Sequence, residues 1–148
     1  MQEALKEAHK ALEIDEVPVG AVIVFKDKII ARAHNQMMTL KDPTAHAEMI
    51  AITQAADYLK NERLINCDLY VTIEPCVMCA GACVLARLKK IVYGADDPKS
   101  GGCGSVVNIA YNKRFNHRIE VVGGIMREDC ALFMKEFFKG KREKLSWK

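Results

Sequence analysis

The chain has 148 residues, half of them apolar and 28% charged, with a net charge of only +3, an ordinary composition for one soluble domain with a sizeable core. Its longest charge-free apolar stretches, residues 17–25 and 76–86, fall short of the 18 or more residues of a membrane span. Charges at Glu3, Lys6, Glu7 and Lys10 interrupt the apolar segment that a secretory signal would need, so the expectation is a cytoplasmic protein whose six cysteines stay reduced.

Residues 2–13 place Leu5, Ala8, Ala11 and Leu12 on one face and Glu3, Lys6, Glu7 and Lys10 largely opposite, which predicts an amphipathic helix. Residues 18–25 (PVGAVIVF) are rich in β-branched side chains, and 29–34 resume the pattern after Lys26-Asp27-Lys28, so a β-hairpin follows. Asn35 closes the second strand, a common place for a turn residue, and a polar link leads on. A helix is predicted over 44–59, capped by Asp42 with Pro43 in its first turn, burying Ile50, Ala51, Ile52 and Ala55. Residues 67–73 (CDLYVTI) read as a central strand that delivers Glu74-Pro75-Cys76 at its C-terminal end. A second helix over 76–88 has Pro75 in its first turn and small residues Ala80, Gly81 and Ala82 for close packing.

Residues 90–94 (KIVYG) form the next strand, and the order strand, helix, strand predicts right-handed parallel crossovers on a sheet begun by the hairpin. The glycine-rich run 96–105 (DDPKSGGCGS) lacks the G-x-x-x-x-G-K-[ST] spacing of a nucleotide phosphate loop. A short helix is expected over 106–110, a strand over 119–122 and an amphipathic helix over 127–141 that brings Leu132, Phe133, Glu136 and Phe137 within a turn of one another. Residues 111–118 (YNKRFNHR) interleave aromatic and basic side chains, either a loop that stacks bases and holds phosphates or a solvent loop with one anchoring Phe. From Lys135 onward there are six Lys or Arg against two Asp or Glu, leaving 16 against 17 before it. That cluster is either a phosphate footprint or a solvated helix end. Trp147 reads as a loosely docked tail residue. Without repeats or interior linkers, residues 1–148 form a single domain.

Two short pieces carry chemistry. His46-Ala47-Glu48 is an H-x-E motif, and 27 residues separate Glu48 from the C-x-x-C at Cys76 and Cys79. One imidazole and two thiolates suit zinc, and a catalytic zinc site keeps three protein ligands and leaves the fourth position open. Zinc lowers the pKa of bound water from about 15.7 to about 7, so Glu48, two residues past His46, has a proton to take and deliver. Both motifs are expected at helix starts, whose positive ends favour thiolate. Cys67, Cys83, Cys103 and Cys130 are read as small buried residues, although Cys83, four residues after Cys79, could close a Cys3His structural site.

H-x-E followed by P-C-x-x-C is the signature of zinc-dependent nucleobase deaminases. The longer words EVPVGAV (16–22), DPTAHAE (42–48), LYVT (69–72), EPCVMCAGA (74–82), Gly94-Ala95 with Asp97-Pro98-Lys99, and FNHR (115–118) resemble the bacterial tRNA-specific adenosine deaminases over nearly the whole chain. That resemblance implies a three-layer α/β/α fold with a mixed five-stranded sheet, cytidine deaminase-like. It implies conversion of adenosine to inosine at the wobble position of a tRNA anticodon, chiefly in an arginine tRNA, by a homodimer. By motif it assigns one zinc ion per chain to His46, Cys76 and Cys79, and the proton shuttle to Glu48. It also places Asn35 near the flipped base and ribose, the Ala47 backbone against the base, and Asp97 at the nucleotide sugar and backbone. Two rivals stand beside it: a deaminase of free guanine, cytidine or a related compound, and a non-enzymatic nucleic-acid-binding module with Cys83 on a structural zinc.

Overall fold

The computed structural model describes residues 1–146, so Trp147 lies outside the described residues. Five strands form one sheet in the order β2-β1-β3-β4-β5, with β1 (Gly20–Phe25), β2 (Lys28–His34), β3 (Cys67–Ile73), β4 (Lys90–Ala95) and β5 (Glu120–Val122). The hairpin β1–β2 and the β1–β3 pair are antiparallel, whereas β3–β4 and β4–β5 are parallel, which is the mixed five-stranded sheet that the resemblance implies. Lys26 and Asp27 make the hairpin turn with positive φ at both positions (48° and 60°), matching the right-handed twist of the strands they join.

Helices cover the sheet: α1 (Gln2–Glu13) and α5 (Arg127–Leu145) pack together, against β1 and β4 respectively, while α3 (Ala47–Leu59) lies on β1 and β2 beside α4 (Val77–Leu85). Gly20 lets α1 come close, since a Cβ there would overlap the Ala4 carbonyl oxygen. Ile23, Leu64, Leu69, Val71, Leu88, Ile91 and Ile119 fill the core, and Cys67, Cys83, Cys103 and Cys130 are buried and free as expected. No described helix is long and apolar enough to cross a membrane.

The local expectations need five corrections. Asp42 does not cap the first metal-motif helix: its Oδ1 accepts from the Thr44 amide (2.8 Å) and hydroxyl (2.7 Å), closing its own turn, and the helix begins at Ala47. Pro75 likewise stands before the N-cap of α4, which ends at Leu85. A four-residue helix, α2 (Met37–Leu40), occupies the polar link. Residues 106–110 form no helix, because their amides turn back onto the glycine pair, Val106 to the Gly101 carbonyl (3.2 Å) and Ile109 to that of Gly102 (2.7 Å). Finally, side-chain directions differ from the simple face pattern. Glu7 is buried with Ala4, Ala8 and Ala11, held by Lys10 (2.8 Å), while Leu132 stands exposed on α5, whose buried residues are Cys130 and Phe137. Of the three small residues of α4, only Ala80 packs inward, and a Cβ at Gly81 would meet nothing.

Candidate active site

The two motifs meet because each starts a helix. His46 is the N-cap of α3 and Cys76 the N-cap of α4, both in extended backbone conformation, which leaves their side chains at the mouths of the two helices. Cys79 sits three residues into α4 and Glu48 two residues into α3. The donor atoms of His46, Cys76 and Cys79 all lie within 4.8 Å of one another, and this is a group that could hold a metal ion. His46 Nδ1 is 3.6 Å from Cys76 Sγ and 3.5 Å from Cys79 Sγ. Cys83 is not in the group. The 1.5 Å rise per helical residue carries it about 6 Å beyond Cys79 along α4, into the core.

Charge is shared unevenly within the group, with Cys76 favoured as the thiolate. Hydrogen bonds from the Cys79 thiol and from His46 hold Cys76 down at about 4. The same interaction, with burial, pushes Cys79 up, and Cys76 in turn draws His46 up. Desolvation pushes the Glu48 carboxyl up, since only 3% of that residue is exposed. Burial raises Cys67 and Cys130 to about 11 and Cys103 to about 12, which leaves those three as inert thiols near neutral pH.

A cavity of about 180 Å³ opens over this group. His46, Ala47, Glu48 and Cys76 form one side, Asn35 and Asp97 stand on others, and Val17, Val19, Met37, Ile73 and Met134 supply apolar walls. All the residues singled out from the sequence except Cys79 therefore line one cavity, and Cys79, fully buried, lies beneath it in the donor group. Asp97 begins a turn in which its Oδ1 accepts from the amides of Lys99 and Ser100, both at 3.1 Å.

Two acids of this region carry no role in the sequence reading. Glu74, 1% exposed, accepts from the amides of Asp97 (3.2 Å), Cys103 (3.0 Å) and Ser105 (3.1 Å) and from the Ser105 hydroxyl. It is the anchor on which the 97–105 loop folds, and Gly101 is glycine because a Cβ would overlap that carboxylate. The glycine pair 101–102 was the available signal of so close an approach. Glu74→Ala strands the buried amide of Cys103 and the part-buried amides of Asp97 and Ser105, a cost of about 3 kcal/mol. A drop in melting temperature of roughly 6–12 °C should follow in a thermal scan. A shift under about 2 °C would contradict the anchoring role. The second acid, Glu16, binds Asn35 and Thr39.

Residues 1–142 match the family of MafB19-like deaminases. The chain is 51% identical over 144 residues to the tRNA-specific adenosine deaminase of Bacillus subtilis (strain 168), covering 97% of this chain and 89% of that protein. It is similar, at 44% identity and a TM-score of 0.87, to a structure from work on A-to-I editing by tRNA:A34 deaminases at the wobble position of transfer RNA, with 90% of this chain and 96% of that one covered. A guanine deaminase structure from Bacillus subtilis matches at 42% identity and a TM-score of 0.62, over 64% of this chain and 61% of that one.

Proposed function

The chain belongs to the family of tRNA-specific adenosine deaminases, and from that premise we propose that it converts adenosine to inosine at the wobble position of a tRNA anticodon. In this reading His46, Cys76 and Cys79 hold one zinc ion and Glu48 is the catalytic proton carrier. The observation that carries it is the convergence of two helix starts, which bring one imidazole, two thiols and a buried carboxyl to a single cavity.

The donor set fits zinc. Tetrahedral zinc with Zn–S of about 2.3 Å and Zn–N of about 2.0–2.1 Å separates a nitrogen from a sulfur ligand by about 3.6 Å. The Nδ1–Sγ separations of 3.6 and 3.5 Å match that edge. A zinc ion bound here supplies a water activated at neutral pH. Glu48 is the group that would take the proton such a water gives up on adding to C6 of adenine, and would deliver it to N1. In the second half the same carboxylate would take the proton of the new C6 hydroxyl and pass it to the amine as the C6–N bond breaks, so adenosine and water become inosine and ammonia. Val17, Val19, Ile73 and Met134 enclose the base and keep bulk water from the transfer. Ala47 opens α3, so its amide has no intrahelical partner and is offered to the base. Asn35 and Asp97 meet the base, ribose and backbone of the nucleotide from the other walls.

An anticodon-loop nucleotide has no duplex partner to abandon, which lowers the cost of drawing the base into so small a cavity. We take the tRNA to be an arginine tRNA, as the family resemblance implies, and a tRNA substrate places the enzyme in the cytoplasm. Met134 brings α5 to the cavity rim, so the cations that follow it are placed to meet phosphates. Lys141 is paired with Asp15 (2.6 Å), which leaves Lys139, Arg142 and Lys144 as the better candidates. Replacing those three with Gln should weaken RNA binding and shallow its dependence on salt by about two to three in log–log slope. An unchanged slope would remove the helix from the RNA interface.

The homodimer belongs to the same proposal. An apolar groove of about 640 Å³ runs along α4, with Leu85 81% exposed beside Val77 and Phe115, and a second copy would cover it. Sedimentation equilibrium should give twice the 16.6 kDa chain mass, and a monomer at micromolar concentration would reject it.

The direct test incubates zinc-loaded protein with an arginine tRNA transcript carrying adenosine at the wobble position and sequences the product. Inosine at that position alone is expected. Consumption of free guanine or cytidine with the RNA untouched would transfer the site to small-molecule deamination.

A further inference from the structure

Glu16 lies between α1 and β1, only 1% exposed and outside the cavity wall. Its Oε1 accepts from the amide of Thr39 (2.6 Å) and from the Thr39 hydroxyl (2.9 Å), and its Oε2 accepts from Asn35 Nδ2 at 3.3 Å. A carboxylate with three donors around it is an acceptor only. The Asn35 side chain has a donor end and an acceptor end, so an amide nitrogen held by Glu16 turns the carbonyl oxygen the other way. Asn35 is a wall of the cavity, and among the described residues no protein group donates to its Oδ1. That oxygen is also not among the fully buried polar atoms left without a partner, so it is open to the cavity. Through Thr39 the same carboxylate ties down α2, which carries Met37 of the cavity wall.

We propose that Glu16 is a positioning residue whose carboxylate locks the Asn35 amide with Oδ1 turned into the cavity, so that the site presents a fixed hydrogen-bond acceptor to the bound nucleotide. The inference rests on the reading of that cavity as the nucleotide site. It also says what the acceptor selects. N1, N3 and N7 of adenine are acceptors, and in an RNA chain the 3′ oxygen is esterified. The donors left on an adenosine nucleotide are the exocyclic amine and the 2′-OH. A freely turning amide would offer an N–H to the cavity half of the time and lose the distinction.

Polarity reversal tests this. With Glu16→Gln the new side chain still accepts from Thr39 but donates towards position 35, so the Asn35 amide inverts and aims its NH2 into the cavity. Activity on an anticodon stem-loop RNA, read as kcat/KM, should fall on the order of tenfold to a hundredfold. Asn35→Asp alone sets two carboxylates against each other and should fall comparably. Combining Glu16→Gln with Asn35→Asp restores a donor facing an acceptor and leaves an oxygen for the cavity. The double variant should recover about tenfold over the poorer single one, a coupling that independent structural damage does not produce. Thermal unfolding and zinc content of each variant identify loss of fold. Should a single variant fail to fold, Glu16→Gln in an Asn35→Ala background, which has no amide left to orient, should cost under about twofold. An unimpaired Glu16→Gln protein, or a double variant no better than its poorer parent, would overturn the proposal. An unmodified protein that leaves the RNA unchanged would instead sink the functional reading beneath it.

Discussion

Glu48→Gln should hold zinc as tightly as the unmodified protein and form inosine about 10²–10⁴-fold more slowly. The substitution keeps the shape of a side chain that is almost fully buried at the start of α3, and Glu48 lies outside the three donors that define the metal group. What it removes is the capacity to take a proton from water and give it to the base. An amide can occupy the same space and accept a hydrogen bond, but it can neither take the water proton to N1 nor afterwards move the C6 hydroxyl proton to the departing amine. Substrate binding should persist, so the loss should appear in kcat far more than in KM. A single-turnover assay with excess enzyme, beside metal analysis by atomic absorption, separates the two effects. Loss of zinc together with activity would reassign Glu48 to the metal. Retention of both would leave the cavity without its proton carrier.

Cys79→Ala and Cys83→Ala should part company, although the two residues lie one helical turn apart. Cys79 supplies one of three donors within 4.8 Å of one another, and its loss leaves a two-ligand site. Zinc affinity should fall by more than about 100-fold, beyond what losing a supporting hydrogen bond to a ligand costs, and activity should go with it. Cys83 is fully buried, and desolvation holds its thiol well above the ordinary range, so it remains protonated in the core beneath α4. Cys83→Ala should keep zinc and activity and lose about 1 kcal/mol of stability to the small void. The opposite pattern, zinc lost with Cys83→Ala, would make the site a closed structural one and remove its place for water.

The chemistry was more legible in the sequence than the support beneath it. His46, Glu48, Cys76 and Cys79 stand in short words whose spacing reflects one helix start each, and that local geometry survives folding unchanged. The helix starts themselves were read one step out. Asp42 and Pro75 carry the usual signs of a helix start, yet His46 and Cys76 take the N-cap positions because an extended cap residue is what turns its side chain to the cavity. Glu7, Glu16 and Glu74 were invisible for a different reason. An acid is ordinarily assigned to solvent, and these find partners 19 to 31 residues away: His34 for Glu7, Asn35 for Glu16 and Ser105 for Glu74 among them. Their partners at Thr39, Asp97, Cys103 and Ser105 include backbone amides, which any residue type offers, so no pattern of side chains announces them. The missing helix over 106–110 has the same origin, since its amides are used by the carbonyls of the glycine pair rather than by one another.

Zinc K-edge absorption spectroscopy of the metal-loaded protein tests the central claim most directly, because it counts the ligands. An open site built from His46, Cys76 and Cys79 predicts two sulfurs at about 2.3 Å, one imidazole nitrogen at about 2.0–2.1 Å and one further light atom from solvent. Three sulfurs and a nitrogen, with no light atom left over, would contradict it: the fourth position would belong to a cysteine, and no water could be activated there.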